Sequence, residues 1–178
     1  MNEKRYLIAV DMQNDFIDGS LGTPEAQAIV TAAAERIRAC KALGYSLIAT
    51  LDTHEENYLD TSEGKKLPVR HCIRGTAGWE LNPAIREALG DCMLVEKNTF
   101  GSVRLPEIIR AEVKPDQRLT IELIGLCTDI CVVSNALLLK AHFPEADIRV
   151  RPDCCAGVTP EKHQAALTTL QSCQIDLA

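Results

Sequence analysis

The chain has 178 residues, 46% of them hydrophobic and 25% charged, and a formal net charge of −6. That length suits one domain with a full core, and the composition is that of an ordinary soluble protein. An acidic balance with no basic stripe argues against nucleic acid as a partner, and no apolar run approaches the ~20 residues that cross a membrane.

Residues 6–10 predict a first strand, which ends in the carboxylate of Asp11. Pro24 opens a helix expected to reach about Leu43, with Gly44 as its stop. Residues 45–51 predict a second strand. Residues 52–78 are polar and lack periodicity, and a loop of that length is usually functional. A short helix over 83–89, a third strand over 92–95 and a helical segment over 105–113 follow. The apolar run 119–124 predicts a buried fourth strand, and 132–141 a helix. Residues 147–150 predict a fifth strand. Thr159 caps a helix that starts at Pro160 and reaches about Ser172, and 174–177 predict a sixth, edge strand. The alternation argues for a parallel sheet covered on both faces. No repeat, low-complexity stretch or linker divides the chain, so residues 1–178 are expected to form a single domain.

The eight cysteines are Cys40, Cys72, Cys92, Cys127, Cys131, Cys154, Cys155 and Cys173. In a long chain of alternating strands and helices, with no export signal at MNEKRYLIAVD, free thiols in a reducing cytoplasm are expected.

The stretch from Gly125 to Val132 carries the most chemistry. It places Cys131 in the first turn of a helix just past the carboxyl end of a strand. Unpaired N–H groups and the helix dipole there are expected to lower a thiol's pKa and to receive an oxyanion. A buried cysteine that only packs is the alternative. Two other strands end in reactive groups, Asp11 after 6–10 and Lys97 after 92–95. Strand ends of an open α/β sheet gather at one edge, where ligands sit. A carboxylate can take the thiol proton and an ammonium can hold the thiolate, so Asp11, Lys97 and Cys131 form a candidate nucleophile, base and orienting group.

A second constellation lies past the second strand. Asp52 and His54 stand two apart and point the same way in an extended chain, with His71 across the long loop and Glu63 within it. One carboxylate and two imidazoles suit zinc, iron or manganese, with Glu63 as a possible fourth ligand. Solvated loop histidines are the alternative. Phe16 and Phe100 follow Asp11 and Lys97 closely and could wall a flat substrate or belong to the core.

VDMQNDF, DTH at 52–54, HCIRGT at 71–76, EKNTFGS around Lys97 and GLCTDICV together resemble the isochorismatase-like cysteine hydrolases, which include the nicotinamidases. The resemblance covers nearly the whole chain. It implies a Rossmann-like three-layer α/β/α fold with a six-stranded, mostly parallel sheet. It implies an Asp11–Lys97–Cys131 catalytic triad and a cis peptide between Leu126 and Cys127 that turns the Cys127 and Cys131 N–H groups toward an oxyanion. It implies a divalent metal, zinc above iron or manganese, on Asp52, His54 and His71, with Glu63 added in some members. In that arrangement the metal holds a pyridine nitrogen, and Phe16 and Phe100 wall the pocket. The activity implied is hydrolysis of nicotinamide, or a similar small aromatic amide, through a thioester. A ureido or carbamoyl substrate, or a non-catalytic ligand-binding member, are the other readings. A cytoplasmic homo-oligomer, dimer or tetramer, is expected. Two departures bear on substrate identity: Leu67-Pro68 stands where many nicotinamidases place a bulky aromatic, and the segment from Lys97 to Gly101 lacks their usual tyrosine and serine.

Overall fold

The computed structural model describes residues 3–178. Six strands, β1 (Glu3–Val10), β2 (Ser46–Asp52), β3 (Met93–Lys97), β4 (Arg118–Leu126), β5 (Asp147–Ala156) and β6 (Asp176–Leu177), form one sheet. Their order is β3-β2-β1-β4-β5-β6, and every neighbouring pair is parallel. This is the doubly wound order, with its switch point between β1 and β4.

Alternation along β1 shows how the two layers are built. Tyr6, Ile8 and Val10 face one core, shared with α6 (Arg104–Glu112), α7 (Val133–His142) and α8 (Pro160–Ser172). Leu7 and Ala9 face the other, shared with α3 (Val30–Ala42) and α5 (Pro83–Leu89). Side chains alternate faces along a strand, so strands buried on both sides must be apolar at every position. Glu122 breaks that rule in the middle of β4. It is buried, and Arg36 on α3 holds both its oxygens at 2.6 Å.

The helix expected from Pro24 to about Leu43 is two helices. α2 (Pro24–Ala28) ends at Ile29, and α3 starts at Val30. The β-branched pair Ile29–Val30 is a weak helix-forming point of the segment, and both side chains are half-buried against the core there. The polar segment 52–78 is more ordered than its composition suggested. It holds a 3₁₀ turn over Tyr58–Asp60 and α4 (Ser62–Lys66), capped by the Thr61 hydroxyl, which accepts from the Gly64 N–H at 3.0 Å. A further short helix, α1 (Asn14–Ile17), follows β1. β4 and β5 extend beyond their apolar runs, and β3 reaches Lys97 rather than ending at Val95. α8 begins as expected, with the Thr159 hydroxyl capping it and Pro160 at its first position.

All eight cysteines are free. Among the described residues no helix is long and apolar enough to cross a membrane.

Candidate active site

The carboxyl ends of β1, β2, β3 and β4 converge on one place. Asp11 follows β1, Asp52 ends β2, Lys97 ends β3 and is the register partner of Asp52, and Cys131 lies five residues past β4. Asp11 has φ 48°, in the left-handed region that Asp tolerates better than most residues. Gly125 has φ 118°, and a Cβ on it would lie 2.1 Å from the Val10 carbonyl oxygen. Only glycine lets β4 pass this close to the end of β1, which brings the two carriers together.

The peptide between Leu126 and Cys127 is cis. The chain then makes a π-helical turn, Thr128–Val132, before α7 begins at Val133. Cys131 therefore stands in that turn rather than in the first turn of an α-helix.

Three side chains are in contact here. The Lys97 ammonium lies 2.6 Å from Asp11 Oδ2 and 3.5 Å from Cys131 Sγ. The other oxygen of Asp11 accepts the Thr50 hydroxyl at 2.6 Å. Among the described residues Asp11 Oδ2 has no other well-aligned donor, so it is free to accept the Cys131 proton. All three groups are buried.

That burial reverses one expectation from the sequence. The Cys131 thiol is held well above its ordinary pKa, by desolvation first and by the Asp11 charge second, against the lowering effect of Lys97. Burial also pushes the Asp11 carboxyl up, with Lys97 opposing and Asp52 adding to the rise. Burial works to lower the Lys97 ammonium, but the surrounding Asp11, Cys131 and Asp52 raise it, so it stays protonated.

Asp52, His54, Glu63 and His71 form a second cluster, whose donor atoms all lie within 4.8 Å of one another. His54 Nε2 is 3.0 Å from Asp52 Oδ2, and His71 Nε2 is 3.6 Å from the same oxygen. The His71 Nδ1–H donates to the Val69 carbonyl at 2.8 Å, which leaves Nε2 turned to the cluster as a metal-ligating histidine requires. Burial would raise the Asp52 carboxyl, but the two imidazoles and Lys97 hold it below the usual carboxylate range. Burial and Asp52 push the Glu63 carboxyl up. Two carboxylates and two imidazoles facing one point are a borderline-soft divalent cation's donor set.

A narrow cavity of about 40 Å³ joins the two clusters. Cys131 and its neighbours Cys127 and Ile130 line it together with Asp52, Glu63 and His71, and Phe16, Leu67 and Phe100 supply apolar lining. Phe16 packs on the His71 ring at 5.5 Å between centroids. Phe100 is 48% exposed and stands at the mouth. A broader cavity of about 610 Å³ adjoins the metal-type cluster at His54 and Glu63.

The structure thus brings together every site residue named from the sequence. Four supporting residues were not assigned roles there. Gln13 is buried, and its amide clamps Asp52 from both sides: it donates to the Asp52 carbonyl at 2.8 Å and accepts the Asp52 N–H at 2.7 Å. Asp15 accepts the Cys72 N–H at 2.7 Å and so ties the His71 segment to the start of the chain. Thr50 orients Asp11. Asn135 bridges the Cys131 turn to the segment after Lys97. Gln13 and Asp15 lie inside VDMQNDF, and Thr50 is a polar residue in an apolar strand; those were the available signals.

A family model described as the isochorismatase domain matches residues 5–178. The nicotinamidase/pyrazinamidase of Mycobacterium tuberculosis is 27% identical, over 97% of this chain and 97% of its own length. The solved pyrazinamidase of Pyrococcus horikoshii in complex with zinc superposes with a TM-score of 0.82 at 28% identity, covering 98% of each chain. The N-carbamoylsarcosine amidase of Thermoplasma acidophilum superposes with a TM-score of 0.78 at 30% identity, covering 98% of this chain and 95% of that one. Fold, strand-end chemistry and family match agree, and the chain belongs to the isochorismatase domain family.

Proposed function

We propose that this protein is a cysteine-dependent amidohydrolase that converts nicotinamide, or a similar flat aromatic amide, to the acid and ammonia. One observation carries the reading. Lys97 contacts both Asp11 and Cys131, and Cys131 lines a cavity together with Asp52, Glu63 and His71 of the second cluster. The nicotinamidase and pyrazinamidase relatives support it.

In this reading Asp11 Oδ2 takes the Cys131 proton as Sγ bonds to the amide carbon. Burial pushes both the thiol and the carboxyl up, and Lys97 opposes the rise at each. The tetrahedral oxyanion faces the N–H groups of Cys127 and Cys131. Asp11 returns the proton to the amine, the C–N bond breaks, and ammonia leaves a thioester on Cys131. Asp11 then takes a proton from water as its oxygen bonds to the thioester carbon. The C–S bond breaks, the acid departs and the thiol regains its proton. Lys97 stays charged throughout and offsets the negative charge that Asp11 or Sγ carries.

A divalent ion, zinc first and iron or manganese next, would be held by Asp52, His54, His71 and Glu63 and would supply a Lewis-acid contact for a ring nitrogen. Phe16 and Phe100 would flank the ring. Free thiols support a cytoplasmic setting. Exposed Met93, Leu94, Phe100 and Val103 support a homo-oligomer, dimer or tetramer, which light scattering would measure.

The test is ammonia release from nicotinamide, pyrazinamide, and ureido and carbamoyl compounds. Turnover of the two aromatic amides is expected. Release from carbamoyl compounds alone would favour the second reading, a carbamoyl or ureido hydrolase. That reading is supported by the N-carbamoylsarcosine amidase likeness and by Leu67 in the wall. No release from any compound would leave a non-catalytic binding role.

A further inference from the structure

Asn135 lies on α7, one turn beyond Cys131, and is fully buried. Its amide has two hydrogens and an oxygen to satisfy, and all three are used. Nδ2 donates to the Cys131 carbonyl at 2.8 Å and to the Phe100 carbonyl at 3.3 Å. Oδ1 accepts the Ser102 N–H at 2.9 Å. Two of these bonds reach the segment between β3 and α6, which begins just after Lys97 and carries Phe100. Aspartate there would lose both donors, and alanine all three bonds.

A second observation points the same way. A Cβ on Gly101 would lie 2.5 Å from Leu138 Cδ1 and 3.2 Å from the Ser134 carbonyl group. The segment therefore rests close against α7, where an added Cβ would require the Leu138 side chain to turn aside and the Ser134 backbone to give by a few tenths of an ångström. The Thr99 hydroxyl, which donates to the Gly101 carbonyl at 2.8 Å, closes the segment on itself. The 98–103 segment is thus docked on the helix that follows the nucleophile.

We propose that Asn135 is a positioning residue that sets substrate specificity: it fastens the Phe100 segment to the Cys131 turn and so fixes the distance between the aromatic wall and the thiol. Asp11, Lys97 and Thr50 are held by bonds that do not involve Asn135. The kinetic arm of the test rests on the amidase reading; the labelling arm does not.

The experiment compares Asn135→Ala, Gly101→Leu, Phe100→Ala and the Asn135→Ala/Phe100→Ala pair. Two quantities are read in the full chain. One is KM and kcat on whichever aromatic amide the wild type turns over best. The other is the rate of Cys131 alkylation by iodoacetanilide relative to iodoacetamide, followed on the Cys131 peptide by mass spectrometry. Asn135→Ala should raise KM roughly tenfold while kcat stays within about threefold. It should change the aromatic-to-small labelling ratio by about fivefold or more. Gly101→Leu, whose larger side chain meets both Leu138 and the Ser134 backbone of α7, displaces the segment by another route, should act alike and carries the test if Asn135→Ala does not fold. The double variant should be no worse than Phe100→Ala alone, because Asn135 works through that wall.

Additive effects in the double variant would overturn the proposal. So would folded variants with wild-type KM and labelling ratio. A joint loss of kcat and iodoacetamide labelling at unchanged KM would overturn it too, since Asn135 would then support the nucleophile itself. If the wild type hydrolyses no amide, the proposed function fails and the labelling ratio still decides the role of Asn135.

Discussion

The Lys97 ammonium lies 2.6 Å from Asp11 Oδ2, with both side chains almost wholly buried. An ion pair so placed opposes the burial that pushes the Asp11 carboxyl up. Replacing Lys97 with Met removes the one nearby group that lowers the Cys131 thiol, so that thiol should rise further. The inflection of Cys131 alkylation against pH should move to higher pH, and turnover should fall by at least about a hundredfold. An unchanged inflection would remove Lys97 from the site.

Cys131→Ala should abolish ammonia release, with a loss of at least about 10³-fold, while the circular dichroism spectrum and melting temperature stay near wild type. The other cysteines should be individually dispensable for the chemistry. Cys127 is the instructive comparison. It borders the same cavity, yet burial, Asp129 and Asp11 push its thiol up to about 12, and among the described residues no ammonium is placed to lower it as Lys97 lowers Cys131.

Asp11 must be ionised to accept the thiol proton. Its carboxyl is raised by burial first and by Asp52, so activity should be lost as pH falls through a value above the ordinary ~3.9 of an aspartate. The acid limb of kcat/KM, which reports the free enzyme, should therefore lie above that value. A limb at or below about 3.9 would show that Asp11 is not the base.

Elemental analysis should find about one zinc, iron or manganese per chain if the four-residue cluster holds an ion. His54→Ala should lose it. KM for nicotinamide should then rise more than kcat falls, as expected when ground-state binding is removed. Iodoacetamide labelling of Cys131 should persist, since its immediate partners are Asp11 and Lys97. Protein that purifies without metal and gains nothing from added zinc or manganese would sink the metal assignment.

The buried pair of Arg36 and Glu122 gives a prediction about the scaffold. Arg36→Leu leaves the Glu122 carboxylate alone inside the sheet, and losing one partner of such a pair costs about 3 kcal/mol. Urea unfolding should show the loss. Glu122→Gln with Arg36 retained should cost less, because the arginine reaches solvent.

Strand ends were the most legible feature of the sequence. Asp11, Lys97 and Cys131 each follow an apolar run, and parallel strands deliver their carboxyl ends to one edge by construction. The metal-type cluster was legible for a similar reason, since an x-H two residues after a strand-end Asp keeps both side chains on one face. What failed was electrostatic and local. Reading a thiolate from a helix terminus ignored how deeply Cys131 would be buried, a property of the packed fold rather than of the segment. The break at Ile29 and the order within 52–78 depend on where side chains dock, which local propensity does not carry. Asn135 was invisible because a polar residue inside a helix has many uses, and only the folded chain shows which carbonyls it meets.

The Gln13 clamp has a consequence for how this protein can change. Asp52 is gripped at both its N–H and its carbonyl by a side chain two residues past Asp11. The base and the ligand cluster are thus one stiff frame, and a substitution that shifts either disturbs both. Leu67 and Phe100 border the same cavity yet reach solvent and answer to no such clamp through their side chains. New substrates are most readily acquired by exchange at those two wall positions, over an unaltered chemical floor.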